Sequence, residues 1–505
     1  MKYESVAQAL EQLQKLGKTY MAYVHAMGVI ELDAATAAPS GSWEGRGETT
    51  AILSEVMYNL IADPQNGALI AYLKEHSHQL NPVQLRELEV LEKQYLQLNR
   101  IPAEEYVAFN VLKNDSQANW EKAKNTSDFS VFQPYLEKIV DFQKKFAGYY
   151  NAGLPAYDAL LNEYEEGMTT EVLDAFFGEL RSVIVPLVNK IRQQQQTDFP
   201  FVHRNYPADL QRKFFDFLME TMNIDRDYCA IAESEHPFTT NFSNKDVRIT
   251  THYYENNFLS SMFSVVHEGG HAIYELNADN RYNHTFLYGG SSMGIHESQS
   301  RFYENLIGRS KAFASYVFPK LKELFPVQMT DVDADSFYHA INQVNPSLIR
   351  IEADELTYCL HIMVRYELEK QLISGTLEVK DVPAEWNRLY LEYLGVEVPN
   401  DTMGCLQDIH WSCGDLGYFP SYALGSAYGA QMLALMQQDL GDVFADVEKG
   451  DLSRITGWLR EHIHQFASFK KPGQLFEDAC GKFNAKYYTD YLTAKYTDLY
   501  NLSKV

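Results

Sequence analysis

The stretch Ser264-Val-Val-His-Glu-Gly-Gly-His-Ala-Ile-Tyr-Glu275 sets two histidines four residues apart with a glutamate between them. Read as a helix, it aims both imidazoles at one point, because residues one turn apart share a face. Two glycines inside it argue the other way, since each costs a helix interior about 1 kcal/mol relative to alanine. The spacing is that of an HExxH. His267 and His271 would ligate zinc, and Glu268, turned about 100° from His267, would face a bound water instead of the metal. The competing reading is a coincidental match, and the surrounding sequence decides between the two.

A catalytic zinc needs a third protein ligand and an open position. Six residues past His271, where a metzincin carries histidine, this chain has Asn277. Further on, Asn277 to Gly294 is rich in turn residues and reads as a loop, and Gly294-Ile-His-Glu-Ser-Gln-Ser-Arg-Phe-Tyr-Glu-Asn305 then offers Glu297, 26 residues after His271. That leaves room for a turn and a second helix bringing Glu297 back to the histidines. Glu275 shares a face with His271 one turn further on and reads as a supporting or surface acid. His296 is expected to point elsewhere if Glu297 points inward. Arg301 and Glu304, one and two turns after Glu297, are placed to hold it by salt bridge. The two glycines are then explained if they let another segment approach the helix, either the Tyr288-to-Gly294 loop or a groove-lining strand.

Elsewhere the apolar spacing is helical. Leu85, Leu88, Leu91, Tyr95 and Leu98 form one stripe, stopped at Ile101-Pro102, and Val172, Leu173, Phe176, Phe177, Leu180, Ile184 and Leu187 form another. Strand-like alternation is clearest in Val247–Tyr254, with Val247, Ile249, Thr251 and Tyr253 on one side. The chain therefore reads as mainly α with one small β-sheet. No repeat and no low-complexity linker divides it, so residues 1–505 read as a single catalytic unit.

Composition narrows the class. With 46% hydrophobic and 22% charged residues the chain is globular rather than disordered or fibrous. A formal charge of −25 argues against a nucleic-acid binder, whose mark is a basic patch. Five scattered cysteines in no CxxC pair support neither a disulfide framework nor a cysteine metal cluster, which fits a reducing cytoplasm. No signal-peptide run and no apolar stretch of about 18 residues occurs, so a soluble protein without a membrane partner is expected.

The motifs together resemble the Taq-type thermostable metallocarboxypeptidases. Besides HEGGH and HESQS, the chain carries His236-Pro-Phe238, Asp246-Val-Arg-Ile-Thr250, Ile349-Arg-Ile-Glu-Ala-Asp354 and Gly404-Cys-Leu-Gln-Asp-Ile-His-Trp411 in that family's order. Leu32-Asp-Ala-Ala-Thr-Ala-Ala-Pro39 with Gly41 and Arg46 is similar to its amino-terminal signature, with Leu32 where the family usually has tryptophan. The resemblance implies a helical, bundle-like body in two lobes flanking a deep groove, with the small sheet beside the site. It also implies a broad-specificity carboxypeptidase acting on peptides with a free carboxyl terminus, one zinc per chain with cobalt as a possible substitute, and a homodimer.

On this reading zinc sits on His267, His271 and Glu297, and Glu268 takes a proton from an acidified water and returns it to the leaving amine. Donors for the oxyanion come from Gln407–Tyr422, where His410, Tyr418 and Tyr422 are the candidates and Gln407 a substrate contact; the bland alternative for the tyrosines is packing. Arg350 suits the terminal carboxylate because its planar fork can bind both oxygens. Its alternative is a salt bridge to Asp354 on one helical face, with Ile349, Ala353, Leu356 and Leu360 as the buried stripe. Arg248 is the runner-up, on a strand whose exposed edge could also pair with peptide backbone. His236 and Asp246 shape the site without an assigned role. The rivals are a zinc endopeptidase or dipeptidyl carboxypeptidase of related helical fold, and a catalytically silent peptide-binding protein.

Overall fold

Helical periodicity governs most of the chain in the structure, a computed structural model that describes residues 3–502. The helices used below are labelled in chain order: α1 (Val6–Thr36), α2 (Trp43–Ala62), α3 (Pro82–Arg100), α4 (Thr170–Arg192), α5 (Phe258–Leu276), α6 (Met293–Arg301), α7 (Tyr358–Ser374) and α8 (Pro420–Leu440). α3 begins as its sequence dictates. Asn81 and Gln84 form a reciprocal capping box and Pro82 fills the first turn, where a missing N–H costs nothing. It ends before the extended Ile101, as Pro102 requires. In α4 the expected stripe is buried except for Val172, which stands 41% exposed just after the Thr169 cap.

The small sheet has the order β1-β3-β2, with β1 (Cys229–Glu233) parallel and β2 (Thr239–Ser243) antiparallel to β3 (Asp246–Thr251). Val247, Ile249 and Thr251 are buried as the alternation predicts, but the strand stops before Tyr253. β3 is central, so Thr250 on its other face is buried too, and Arg248 does not sit on an exposed edge. Among the described residues, the edge left unpaired on this side belongs to β2.

Apolar burial divides into two main clusters. The smaller joins α1, Ile61 of α2 and α3 with Phe286, and the larger gathers the chain from Ile101 to Leu499. Between them lie open cavities, walled on one side by α1, α2 and α3 and on the other by β2 and Tyr288. These are the two lobes and the groove.

The glycines of α5 answer to packing. A methyl on Gly270 would lie 2.6 Å from the carbonyl oxygen of Gln299 and 2.8 Å from the Cα of Ser300, so the backbone of α6 crosses α5 at this point. On Gly269 it would meet the end of Met222 at 2.7 Å. The close approach is thus made by α6 and by the Met222–Ile224 turn, not by the Tyr288 loop or a strand. α6 is pinched from its other side by α8, where Gly425 leaves space only for the side chain and backbone of Glu297.

Candidate metal centre and active site

α5 and α6, crossing at Gly270, bring His267, His271 and Glu297 together, with one ligand atom from each lying within 4.8 Å of the others. Oε2 of Glu297 is 3.7 Å from Nε2 of His267 and 3.6 Å from Nε2 of His271. Tetrahedral ligands at zinc-like bond lengths stand roughly 3.4 Å apart, so the donor set fits a metal ion with little adjustment. The opposite ring nitrogens are already committed. Nδ1 of His267 donates to Glu304 over 2.8 Å, and Nδ1 of His271 meets Nδ1 of His296 at 2.6 Å. His296 in turn donates from Nε2 to Glu275 at 2.8 Å. Fixing the outer nitrogen leaves each Nε2 lone pair facing inward, which is how ligating histidines are held.

His296 therefore does not point away from the site; it links His271 to Glu275, which is buried and also accepts from Asn241 and from the backbone N–H of Gly290. Arg301 does hold Glu297, donating to Oε1 at 2.7 Å, and it donates as well to Glu304 at 3.1 Å. Glu304, by contrast, holds His267 and not Glu297. It reaches it from a π-helical turn, Phe302–Ile307, of the kind that clusters at functional sites. Burial pulls His267 down, but the carboxylates of Glu297 and Glu304 raise it on balance. His271 is held well below the ordinary range by burial and by His296.

Glu268 faces β2. The hydroxyl of Thr239 donates to its Oε2 at 2.6 Å, and burial raises its pKa above the usual carboxylate range. Its other oxygen accepts no protein hydrogen bond among the described residues.

Arg350 is buried, but not on a continuous helix. Residues Arg350–Glu352 make one 3-10 turn and Ala353 is extended, so the face shared with Asp354 does not exist. Of the expected stripe, Leu356 and Leu360 are fully buried while Ile349 and Ala353 are only half-buried. Asp354 instead accepts from the backbone N–H groups of Asn345, Leu356 and Thr357. Arg350 pairs with Asp408 through Nε and Nη2, both at 2.9 Å, and donates from Nη1 to the Tyr358 hydroxyl at 3.2 Å. Asp408 is shared with the fully buried Arg365, and the two guanidinium groups hold it far below the carboxylate range against the effect of burial. Gln407 accepts from the Arg350 N–H and from Arg365 and donates to the carbonyl of Leu348, so its polar atoms position the two arginines. Arg248 is paired with Asp246 at 2.5 Å and lies over Phe242, and the exposed His236 makes only a backbone contact.

His410 stands between Tyr418 and Tyr422. Its ring stacks on Tyr418 at 5.6 Å, its Nε2 is 3.4 Å from the Tyr422 hydroxyl, and its buried Nδ1 has no protein partner among the described residues. Burial and then Arg350 lower its pKa to about 4, so the ring is neutral at neutral pH. Tyr422 also lies 5.2 Å beneath the Arg350 guanidinium. The segment is tied down by Glu369 of α7, which accepts from the Trp411 indole, the Gly417 N–H and the Tyr157 hydroxyl, each at 2.8 Å.

Burial raises the Glu369 carboxyl to about 7, despite those donors. Between the ordinary carboxylate range and pH 7 Glu369 therefore holds its proton in the native state and loses it in the unfolded one, and the stability it contributes falls as pH rises through that window and is gone above it. Such a shift is worth up to roughly 3 kcal/mol. Glu165, which accepts from the Gly294 N–H at the start of α6, is raised to about 7 in the same way. Thermal unfolding of the wild type and Glu369→Gln, compared from pH 4.5 to 8, is expected to show the wild type losing stability relative to the variant as pH rises to 7, the neutral buried histidines being common to both; a difference that does not change with pH would contradict the assignment.

Thr239, Arg365 and Glu369 were not singled out by sequence, though signals existed. Thr239 directly follows His236-Pro-Phe238, and Arg365 and Glu369 are opposite charges one turn apart in α7.

A family model described as the carboxypeptidase Taq (M32) metallopeptidase matches residues 12–496. Carboxypeptidase 1 of Bacillus subtilis is 41% identical over 482 residues, covering 95% of this chain and 96% of that protein. Thermostable carboxypeptidase 1 of Pyrococcus furiosus is 34% identical over 497 residues, 98% of each chain. The crystal structure of the M32 carboxypeptidase from Deinococcus radiodurans superposes with a TM-score of 0.95 at 34% identity, covering 98% of this chain and 99% of that one.

Proposed function

The chain belongs to the carboxypeptidase Taq (M32) metallopeptidase family, and from that premise we propose that this carboxypeptidase removes single residues from free peptide carboxyl ends, with broad specificity, using one zinc ion on His267, His271 and Glu297. The observation that carries the reading is the convergence of two Nε2 atoms and Oε2 of Glu297 at one point, with Glu268 alongside and not among the ligands. When bound there, zinc supplies Lewis acidity and an acidified water. Cobalt suits the same nitrogen and oxygen donors.

Glu268 accepts the water's proton on the oxygen that Thr239 leaves free and passes it to the nitrogen of the departing residue, and its burial keeps it basic enough to do so. Arg350 receives the substrate's terminal carboxylate, prealigned by Asp408 and Tyr358 and with Gln407 fixing its backbone. Neutral His410, with Tyr418 and Tyr422, offers hydrogen bonds to the oxyanion. Arg248, held by Asp246, lies over Phe242 of β2, the strand along which the amino side of the peptide would run.

All five cysteines are free thiols, which supports a reducing cytoplasm, and no helix of the described residues is long and apolar enough to cross a membrane. The homodimer rests on family membership.

The direct test pairs one peptide with its carboxyl-amidated form. Release of the terminal residue from the free peptide is expected to exceed that from the amide by two orders of magnitude or more, since a charged hydrogen-bonded pair is lost. Comparable cleavage of both would identify an endopeptidase.

A further inference from the structure

We infer that the open cavity between α1, α2, α3 and β2 is a substrate subsite, its apolar wall beside Phe242 taking an apolar side chain two or three residues to the amino side of the scissile bond. The inference rests on the carboxypeptidase reading and adds to it a preference that neither the family nor the metal site specifies.

The site has a direction. Arg350 is joined to the metal-ligand group through the Tyr358 hydroxyl, the Arg301 guanidinium lying 4.2 Å over the Tyr358 ring, and Glu297. Arg301 also binds Glu304, the partner of His267, so this link lies on the flank of His267. The other flank is that of His271, held by His296 and Glu275. β2 starts at Thr239 on Glu268 and then runs toward this second flank, where Asn241 donates to Glu275 at 2.7 Å. A peptide with its carboxylate on Arg350 and its last amide bond at the metal must lead its amino-side residues along β2.

β2 can receive it. Among the described residues this strand pairs with β3 alone, which leaves its outer N–H and C=O groups for an added strand. At about 3.3 Å per residue, Phe242 lies roughly 10 Å beyond Thr239, the span of two to three substrate residues. There a cavity of about 610 Å³ opens, with Val24 and Met27 of α1, Met57 and Tyr58 of α2, Leu98 of α3 and Phe242 as its apolar wall and Ser54, Gln94 and Gln97 among its polar lining. α1 crosses directly over the strand at this point, with His25 stacked on Phe242 at 4.6 Å and Gly28 so close that a methyl would lie 2.8 Å from its ring. Among the described residues, the one ionisable carboxylate in the wall is Glu31 and no lysine or arginine lines it, so an acidic side chain is disfavoured there as well as an unfilled space.

The test uses N-acetylated pentapeptides with glycine, leucine or aspartate at the second or third residue, all ending in the same two residues, and follows release of the last one by the intact protein. Leucine at one of the two positions is expected to raise kcat/KM tenfold or more over glycine, with aspartate at or below glycine. Met27→Asp and Met57→Asp, both at partly exposed positions, are expected to bring the leucine-to-glycine ratio within threefold of one. Because the readout is a ratio within one preparation, a general loss of folded enzyme does not alter it. Equal rates for all three side chains at both positions, or an undiminished ratio in both variants, would overturn the subsite. Failure of the wild-type protein to release the terminal residue from the glycine reference would overturn the carboxypeptidase reading itself.

Discussion

Glu268→Gln is expected to lower kcat by roughly 10²–10⁴-fold, the usual contribution of a positioned general base, with metal content and thermal stability unchanged. Glutamine matches the shape of glutamate and still presents an oxygen to the Thr239 hydroxyl 2.6 Å away, so the local structure has no reason to move. Glu268 is not one of the three converging groups, so a metal held by them is expected to stay. What disappears is the one buried carboxylate able to take a proton from water beside them. A variant that loses its metal along with its activity would make Glu268 part of the metal's support, and one that retains full activity would remove it from the chemistry.

Arg350→Lys is expected to cost two to three orders of magnitude in kcat/KM on peptides with a free carboxyl end, mostly through KM. Lysine keeps the charge, so Asp408 stays paired with that position and with Arg365, and the fold is spared an unpaired buried acid. It cannot reproduce a planar fork that engages Asp408 on one side, Tyr358 on another and a carboxylate on its remaining N–H groups. Steady-state kinetics on a free peptide and its amide read this directly, because the variant should narrow the difference between them. If the amide loses as much as the free peptide, Arg350 supports the loop and does not read the terminus.

The central helix was legible because its chemistry is local. HExxH sets two histidines one turn apart, and a Gly/Ser-rich loop followed by a helical stretch leaves few positions for a third donor, so the convergence of His267, His271 and Glu297 follows from spacing. Gly270 shows where that legibility stops. Sequence requires something to pass close to it, but only the crossing of α5 and α6 reveals that Gln299 and Ser300 do so. His296 was misjudged because a helix wheel places it beside Glu297, facing outward, and says nothing of a neighbouring helix whose His271 lies 2.6 Å away. Arg350 and Asp354 failed for a different reason: the motif suggested one helical face, and the backbone there makes a single turn before extending. The partner of Arg350 lies 58 residues on, at Asp408, and pairing across such a distance has no signature in periodicity.

The account stands most directly on one measurement: elemental metal analysis of the purified protein, together with mass-spectrometric digestion of one unblocked peptide before and after chelation. The expected result is about one zinc per chain and a ladder of single-residue losses from the carboxyl end, abolished by the chelator and restored by added zinc or cobalt. A ladder that persists in fully metal-free protein, or internal cuts in its place, would contradict it.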